Sequence, residues 1–260
     1  MANTPVVVLD DTLTNIANAI RGKNGSSDKY KPGQMAGAID NIPAGGTGTP
    51  REIIDGVYKI PEVTSFSLPS NATDVGQNAL AYAFYPCLSL TSVDLSSLTT
   101  VSGEQALYYA FGGCTALASV DLSSLTTVSG EQTLYSAFSG CTALTSVDLS
   151  SLTTVSGSSA LASAFDRCTA LTSVDFSSLT TVSGYHALYN TFGRCSSLTS
   201  LSFPALTVSG LQWGSSQFDD MIRGVTGCTI HFPAAVQAKI ETTAGYPNFG
   251  GTNTTVLFDL

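Results

Sequence analysis

Apolar residues recur through the middle of the chain at fixed places in a 27-residue unit. In the unit from Cys114 to Gly140, Leu117, Val120 and Leu122 come first, and the alternation Val120-Asp121-Leu122 predicts a short strand with Val120 and Leu122 on its buried face. Leu125 and Val128 predict a second, shorter extended piece, and Gly130 a permissive turn. Leu134, Ala137 and Phe138 then fall at helical spacing, which predicts a short helix on the return side. Apolar side chains thus point inward from three sides of each coil, and the coils above and below supply backbone partners that an isolated unit lacks.

Copies of the unit open at Cys87, Cys114, Cys141 and Cys168, and a partial one opens at Cys195. The run C-T-A-L-A-S-V-D-L-S-S-L-T-T-V-S-G from Cys114 recurs from Cys141 with Thr145 in place of Ala118. Self-similarity at this period replaces the expectation of one globular core with a linear stack of coils.

The ends follow other patterns. Leu13, Ile16 and Ile20, then Met35 and Ile39, lie at helical spacing on either side of Gly22 and Gly25, with Pro32 placed as a first-turn residue. This predicts a small helical pair over 1–42, too short to bury much by itself and therefore a candidate attachment element. The Pro- and Gly-rich stretch 43–50 reads as a linker. Over 51–76, Val63, Phe66 and Leu68 align with Leu117, Val120 and Leu122 as a degenerate first coil. The solenoid proper spans 77–232, with an insertion from Gly210 to Arg223 that brings in Trp213 and Phe218. Residues 233–260 form a cap: Pro233, Val236 and Ile240 predict a helix, and T-T-V-L-F-D-L a closing strand.

Composition narrows the partners. The net charge of -9, with no lysine between Lys59 and Lys239, offers no footprint for a phosphate backbone or an anionic membrane. No apolar run reaches membrane-spanning length, and the N-terminus M-A-N-T-P-V-V-V-L-D lacks a basic region, so ordinary signal-peptide secretion is not expected. Five of the six cysteines recur once per coil; they are expected as buried, reduced thiols acting as small hydrophobes. With His186 and His231 the sole imidazoles, neither a metal site nor a cofactor is expected.

Asp94, Asp121, Asp148 and Asp175 stand outward one coil apart. Carboxylates about 5 Å apart at an effective dielectric of about 20 repel by about 3 kcal/mol before screening, so neighbouring serine hydroxyls, backbone N–H groups or a cation such as calcium must compensate; a glycan-facing polar strip is the other reading of the ladder. No Ser-His-Asp arrangement, G-x-S-x-G elbow or phosphate-binding glycine loop accompanies them, and no enzymatic activity is expected.

The repeats differ most on the return side. There the framework carries Glu104, Tyr108 and Tyr109, then Glu131 and Tyr135, then Arg167, then Tyr185, His186, Tyr189, Asn190 and Arg194. Tyrosine gives large contact area at low entropy cost, so these residues are the candidate recognition surface.

Two resemblances follow. A-F-G-G-C-T-A-L-A-S-V-D-L from Ala110, repeated from Ala83, Ala137 and Ala164, and from Thr191 with threonine for alanine, resembles the BspA-like class of leucine-rich repeat. It implies an α/β leucine-rich-repeat solenoid of short strands and short helices, and a role in adhesion or recognition. The segments D-D-T-L-T-N-I-A-N-A-I-R-G-K-N-G and K-Y-K-P-G-Q-M-A-G-A-I-D-N-I resemble N-terminal modules of phage and prophage tail proteins, and the last sixteen residues resemble C-terminal segments of prophage repeat proteins. That likeness implies attachment to tail components through Leu13, Ile16, Ile20, Met35 and Ile39, in a virion tail made in the host cytoplasm. The expected partner is a protein or a host-surface glycan, with homo-oligomers possible, no nucleic acid and no membrane insertion. The alternative is a bacterial surface adhesin of the same repeat class, extracellular or on the cell surface.

Overall fold

The computed structural model describes residues 64–68, 70–211 and 216–260, together with the short strands Val6–Val7, Ile53–Ile54 and Val57–Tyr58. Leu13, Ile16, Ile20, Met35, Ile39, the 43–50 linker and Trp213 lie outside the described residues. Ile53–Ile54 and Val57–Tyr58 pair antiparallel.

The described chain is a parallel β-solenoid in which each coil has three sides. The first is a ladder of Ser-Val-Asp strands. Ser65–Ser67, Ser92–Asp94 and Ser119–Asp121 pair in parallel with Phe66, Val93 and Val120 in register, and Val6–Val7 adds a strand beside Phe66. Ser146–Asp148 and Ser173–Asp175 continue the stack, and Ser200–Ser202, Thr229–His231 and Thr255–Leu257 end it. The second side is a ladder of two-residue strands, Thr100–Val101, Thr127–Val128, Thr154–Val155 and Thr181–Val182. Threonine hydroxyls on this side donate to the coil before: Thr126 to the Thr99 carbonyl at 2.8 Å and Thr153 to Thr126 at 3.0 Å.

The third side corrects the expected helices. Among the described residues, helix is confined to a 3-10 turn at Ala234–Val236 and an α-turn at Gln237–Ile240, after Pro233. Every second N–H of the return side instead donates to the next coil: Gln105 to Glu131, Leu107 to Thr133, Tyr109 to Tyr135, Phe111 to Ala137. The residues between donate three positions back, Ala106 to Gly103, Tyr108 to Gln105 and Ala110 to Leu107. This alternation satisfies every amide of the run while leaving coils free to stack, which a helix bonded wholly within itself could not do. We call it the turn ladder. Its apolar period is four, since Ala106-Leu107 and Ala110-Phe111 are buried, and Leu134, Ala137 and Phe138 fit that period as well as they fit 3.6.

The core is a set of axial stacks. Phe84, Phe111, Phe138, Phe165 and Phe192 stack ring on ring at 5.2, 5.3, 5.5 and 5.8 Å. All six cysteines are buried and unbridged. The thiols of Cys114, Cys141, Cys168 and Cys195 each donate to a phenylalanine carbonyl one coil back, as from Cys141 to Phe111 at 3.3 Å and Cys168 to Phe138 at 3.2 Å. Burial pushes the Cys114 thiol up to about 12 and raises Cys141, Cys168 and Cys195 as well, so these are packing groups rather than nucleophiles.

Gly130 also departs from its expected role. Its backbone is not left-handed; a Cβ there would run into the Ser102 and Gly103 carbonyls of the preceding coil. Close approach of coils, rather than a turn, demands glycine at this position.

Candidate functional site

The backbone of the turn ladder holds a side chain of residue i beside that of residue i+27. Column by column it therefore displays the residues that vary between repeats. Glu104, Glu131 and Tyr185 are exposed in one column. Beside it run Gln105, Gln132 and His186, in which Gln105 Nε2 donates to Gln132 Oε1 at 2.8 Å. Tyr108, Tyr135 and Tyr189 fill a third column and Tyr82 and Tyr109 a fourth.

Gln105, Tyr109, Gln132, His186 and Asn190 all hold positive φ, between 50° and 53°. None of these residues is β-branched, which fits the steric limits of left-handed backbone. Tyr82, with φ 57°, likewise carries its ring on a backbone that disfavours large side chains.

Five tyrosines meet near the N-terminal end of this face. Tyr82 and Tyr109 stack at 5.4 Å, Tyr108 and Tyr135 at 5.2 Å, and Tyr85 packs edge-on against Tyr109 at 5.9 Å. Tyr82 and Tyr85 remain 37% and 48% exposed. Tyr85 lies over Gly112, where a Cβ would approach its ring to 2.9 Å. Burial raises the Tyr82 and Tyr135 hydroxyls above the ordinary tyrosine range and pushes Tyr108 up to about 12. A phenol raised in the folded state favours folding below its unfolded value near 10 and loses that contribution as pH climbs through its folded value, so the cluster is a neutral surface at physiological pH.

Tyr82 and Tyr85 lie upstream of the variable residues that begin at Glu104. The signal was one period upstream: Tyr82 is 27 residues before Tyr109, and Tyr85 is 27 before Gly112. At the other end, Tyr185 is 57% exposed and contacts His186 at 3.9 Å, and His186 contacts Tyr189 at 5.0 Å. The two aromatic groups are not contiguous. The coil between them carries Ser158, Ser159, Ala162 and Ser163, with Ala162 buried.

Asn190 is corrected from surface residue to buried one. Gly193 leaves room for its amide to fold inward, and its Nδ2 donates to Ser163 Oγ at 3.0 Å. Arg194 donates to the buried Asp166 carboxylate at 3.0 Å, and Arg167 lies 3.7 Å from the same group. The Arg194–Asp166 pair tethers adjacent coils at the edge of the face, while Arg167 and Asp166 are neighbours within one coil.

The aspartate ladder lies on the strand side and works locally. The backbone N–H groups of Ser96, Ser123, Ser150 and Ser177 donate to Asp94, Asp121, Asp148 and Asp175 at 3.0, 3.0, 2.9 and 2.8 Å. Hydrogen bonds from the Ser96 and Ser150 side chains and amides hold the Asp94 and Asp148 carboxyls below their usual value. Their stabilising contribution is therefore present above the unfolded carboxylate value near 4 and lost as pH falls through the lower folded one. A shallow cleft of about 440 Å³ lies along Asp148, Asp175, Ser173, Ser202 and Pro204. Among the described residues no group of three or more His, Cys, Asp or Glu side chains could hold a metal ion. Millimolar calcium is expected to leave the melting temperature unchanged by scanning calorimetry; a rise of many degrees would show that the ladder ligates the ion.

Against known families, the profile described as BspA type leucine rich repeat region matches in six copies, over residues 51–191 and 80–220. No curated protein matches the chain. Among the described residues no helix is long and apolar enough to cross a membrane.

Proposed function

Because this chain belongs to the BspA-type leucine-rich-repeat family, we propose that it is a non-enzymatic, adhesin-like binding protein whose recognition surface is the tyrosine-bearing turn ladder. The observation that carries this reading is the five-ring cluster of Tyr82, Tyr85, Tyr108, Tyr109 and Tyr135, two of whose members sit on left-handed backbone. Packing alone does not call for it: the next coil builds the same ladder with Ala162 and Ser163 in the equivalent places. Aromatic side chains kept half-exposed at backbone cost are characteristic of recognition sites.

The partner is a protein or glycan displayed on a cell surface. Residues 1–42 are the fastening end in this reading, to a tail structure if the chain is phage-encoded, a role carried by their resemblance to tail-protein modules. Replacing Tyr108, Tyr109 and Tyr135 with alanine is expected to reduce retention on immobilised bacterial cells at least tenfold while far-UV dichroism stays that of the parent. Replacing Asp121 and Asp148 with asparagine should leave retention intact. Loss of retention in the aspartate variant with none in the tyrosine variant would move the site to the strand face.

A further inference from the structure

We infer that the tyrosine face takes a neutral, extended chain of β-1,4-linked pyranose residues running parallel to the solenoid axis. This rests on the reading of the turn ladder as the recognition surface and names its ligand class. Three observations lead there.

The first is spacing. Equivalent rings along the face repeat at 5.2 Å (Tyr108 to Tyr135) and 5.4 Å (Tyr82 to Tyr109), one coil per step. A linear ligand contacting successive coils must match that step or drift out of register within a few contacts. A β-strand peptide repeats its same-side residues every ~6.8 Å, and a polyproline peptide advances ~9 Å per turn; neither matches one coil or two. One residue of an extended β-1,4-linked pyranose chain advances by nearly one coil height.

The second is chemistry. Pyranose rings present axial C–H groups to aromatic surfaces and equatorial hydroxyls to the sides. Within each column the rings stack on one another, so the half-exposed Tyr82 and Tyr85 rings supply the first kind of contact. Beside them, Gln77 Nε2 donates to Glu104 Oε2 at 3.1 Å and Gln105 to Gln132 at 2.8 Å, so carboxylate and amide groups line the flank in the same one-coil step. These groups pair with one another, and each amide and carboxylate keeps a second donor or acceptor site that suits hydroxyl pairs.

The third is charge. Glu104 and Glu131 border the cluster and the whole chain carries -9, so uronic acid, sulfated or phosphate-bearing polymers would be repelled. Tyr82, Tyr109 and Tyr135 occupy three successive coils before Ser158 and Ala162 interrupt the face. Affinity should therefore rise with oligosaccharide length to about three residues, one per coil of the ~5 Å step between coils, and level off beyond.

The test is titration calorimetry of the full chain with cello- and chito-oligosaccharides of two to six residues, with polygalacturonate as the acidic comparison. The expected result is binding to one neutral series, a gain of at least tenfold from two residues to three, little gain from four to six, and none with polygalacturonate. Tyr82→Ala combined with Tyr85→Ala, the two most exposed rings of the cluster, should weaken binding at least tenfold with the melting temperature retained. Absence of binding to both neutral series, preference for polygalacturonate, or full affinity in the double variant would overturn the inference. If the parent binds neither series yet the tyrosine variants still lose retention on cells, and protease treatment of those cells abolishes retention, the recognition surface stands and its partner is a protein. If the tyrosine variants retain both, the surface itself is wrongly placed.

Discussion

Replacing Phe138 with alanine is expected to lower the unfolding free energy by about 3–5 kcal/mol and to split the single thermal transition into two. Phe138 is fully buried between Phe111 at 5.3 Å and Phe165 at 5.5 Å, in the middle of the phenylalanine stack. Coils touch only their neighbours, so a cavity at this level removes contacts from both adjoining interfaces and from no others. The halves on either side keep their own cores, headed by Phe84 and Phe192, and should then melt separately. Thermal unfolding followed by circular dichroism checks this. A loss below about 1 kcal/mol would mean that the coil collapses around the missing ring, contrary to the rigid hydrogen-bonded ladders on its three sides.

Gly157→Ala is expected to destabilise by about 3 kcal/mol or more, against the usual sign for such a change. Glycine to alanine at an unstrained position with room for a methyl stabilises by about 0.4–1 kcal/mol through the unfolded chain, and Gly157 has no left-handed φ. Space decides the sign. A Cβ at Gly157 would overlap the Gly130 carbonyl and meet the Ser129 carbonyl, backbone atoms of a coil that the Ser129 N–H ties to the Val101 carbonyl. Gly76 supplies the control, because a Cβ there meets nothing within 4 Å, and Gly76→Ala should be neutral or slightly stabilising. Urea denaturation of the two variants reads both outcomes, and equal effects would show that coil contact does not dictate the glycine.

Most of the scaffold was legible in the sequence because its determinants repeat. Leu117, Val120 and Leu122 announce a strand by local alternation, and the cysteines mark the coil boundaries; the structure buries all of them. The return side was not legible as a turn ladder. Leu134, Ala137 and Phe138 satisfy a period of 3.6 or of 4 over so short a run, and only bonds to residues 26 positions ahead distinguish the two. Nor does the sequence announce positive φ at Gln132 or Tyr109, which are not glycine or asparagine.

The site shows the same division. Tyr108, Tyr109 and Tyr135 stand out as departures from a uniform repeat, and the structure brings them together with Tyr82 and Tyr85. Asn190 departs from the repeat equally, yet it turns inward because Gly193 leaves space beside it, a pairing between residues that sequence comparison treats as independent. The regular part of each coil sets the spacing of the face, and the irregular part sets what the face presents.

The most direct test of that account is hydroxyl-radical footprinting of the full chain, free and bound to immobilised bacterial cells. Protection of Tyr82, Tyr85 and Tyr108 on binding, with the exposed strand-side Pro204 unchanged, is the predicted result. Protection of Pro204 beside the Asp148 and Asp175 cleft, with the tyrosines as reactive as in the free chain, would contradict it.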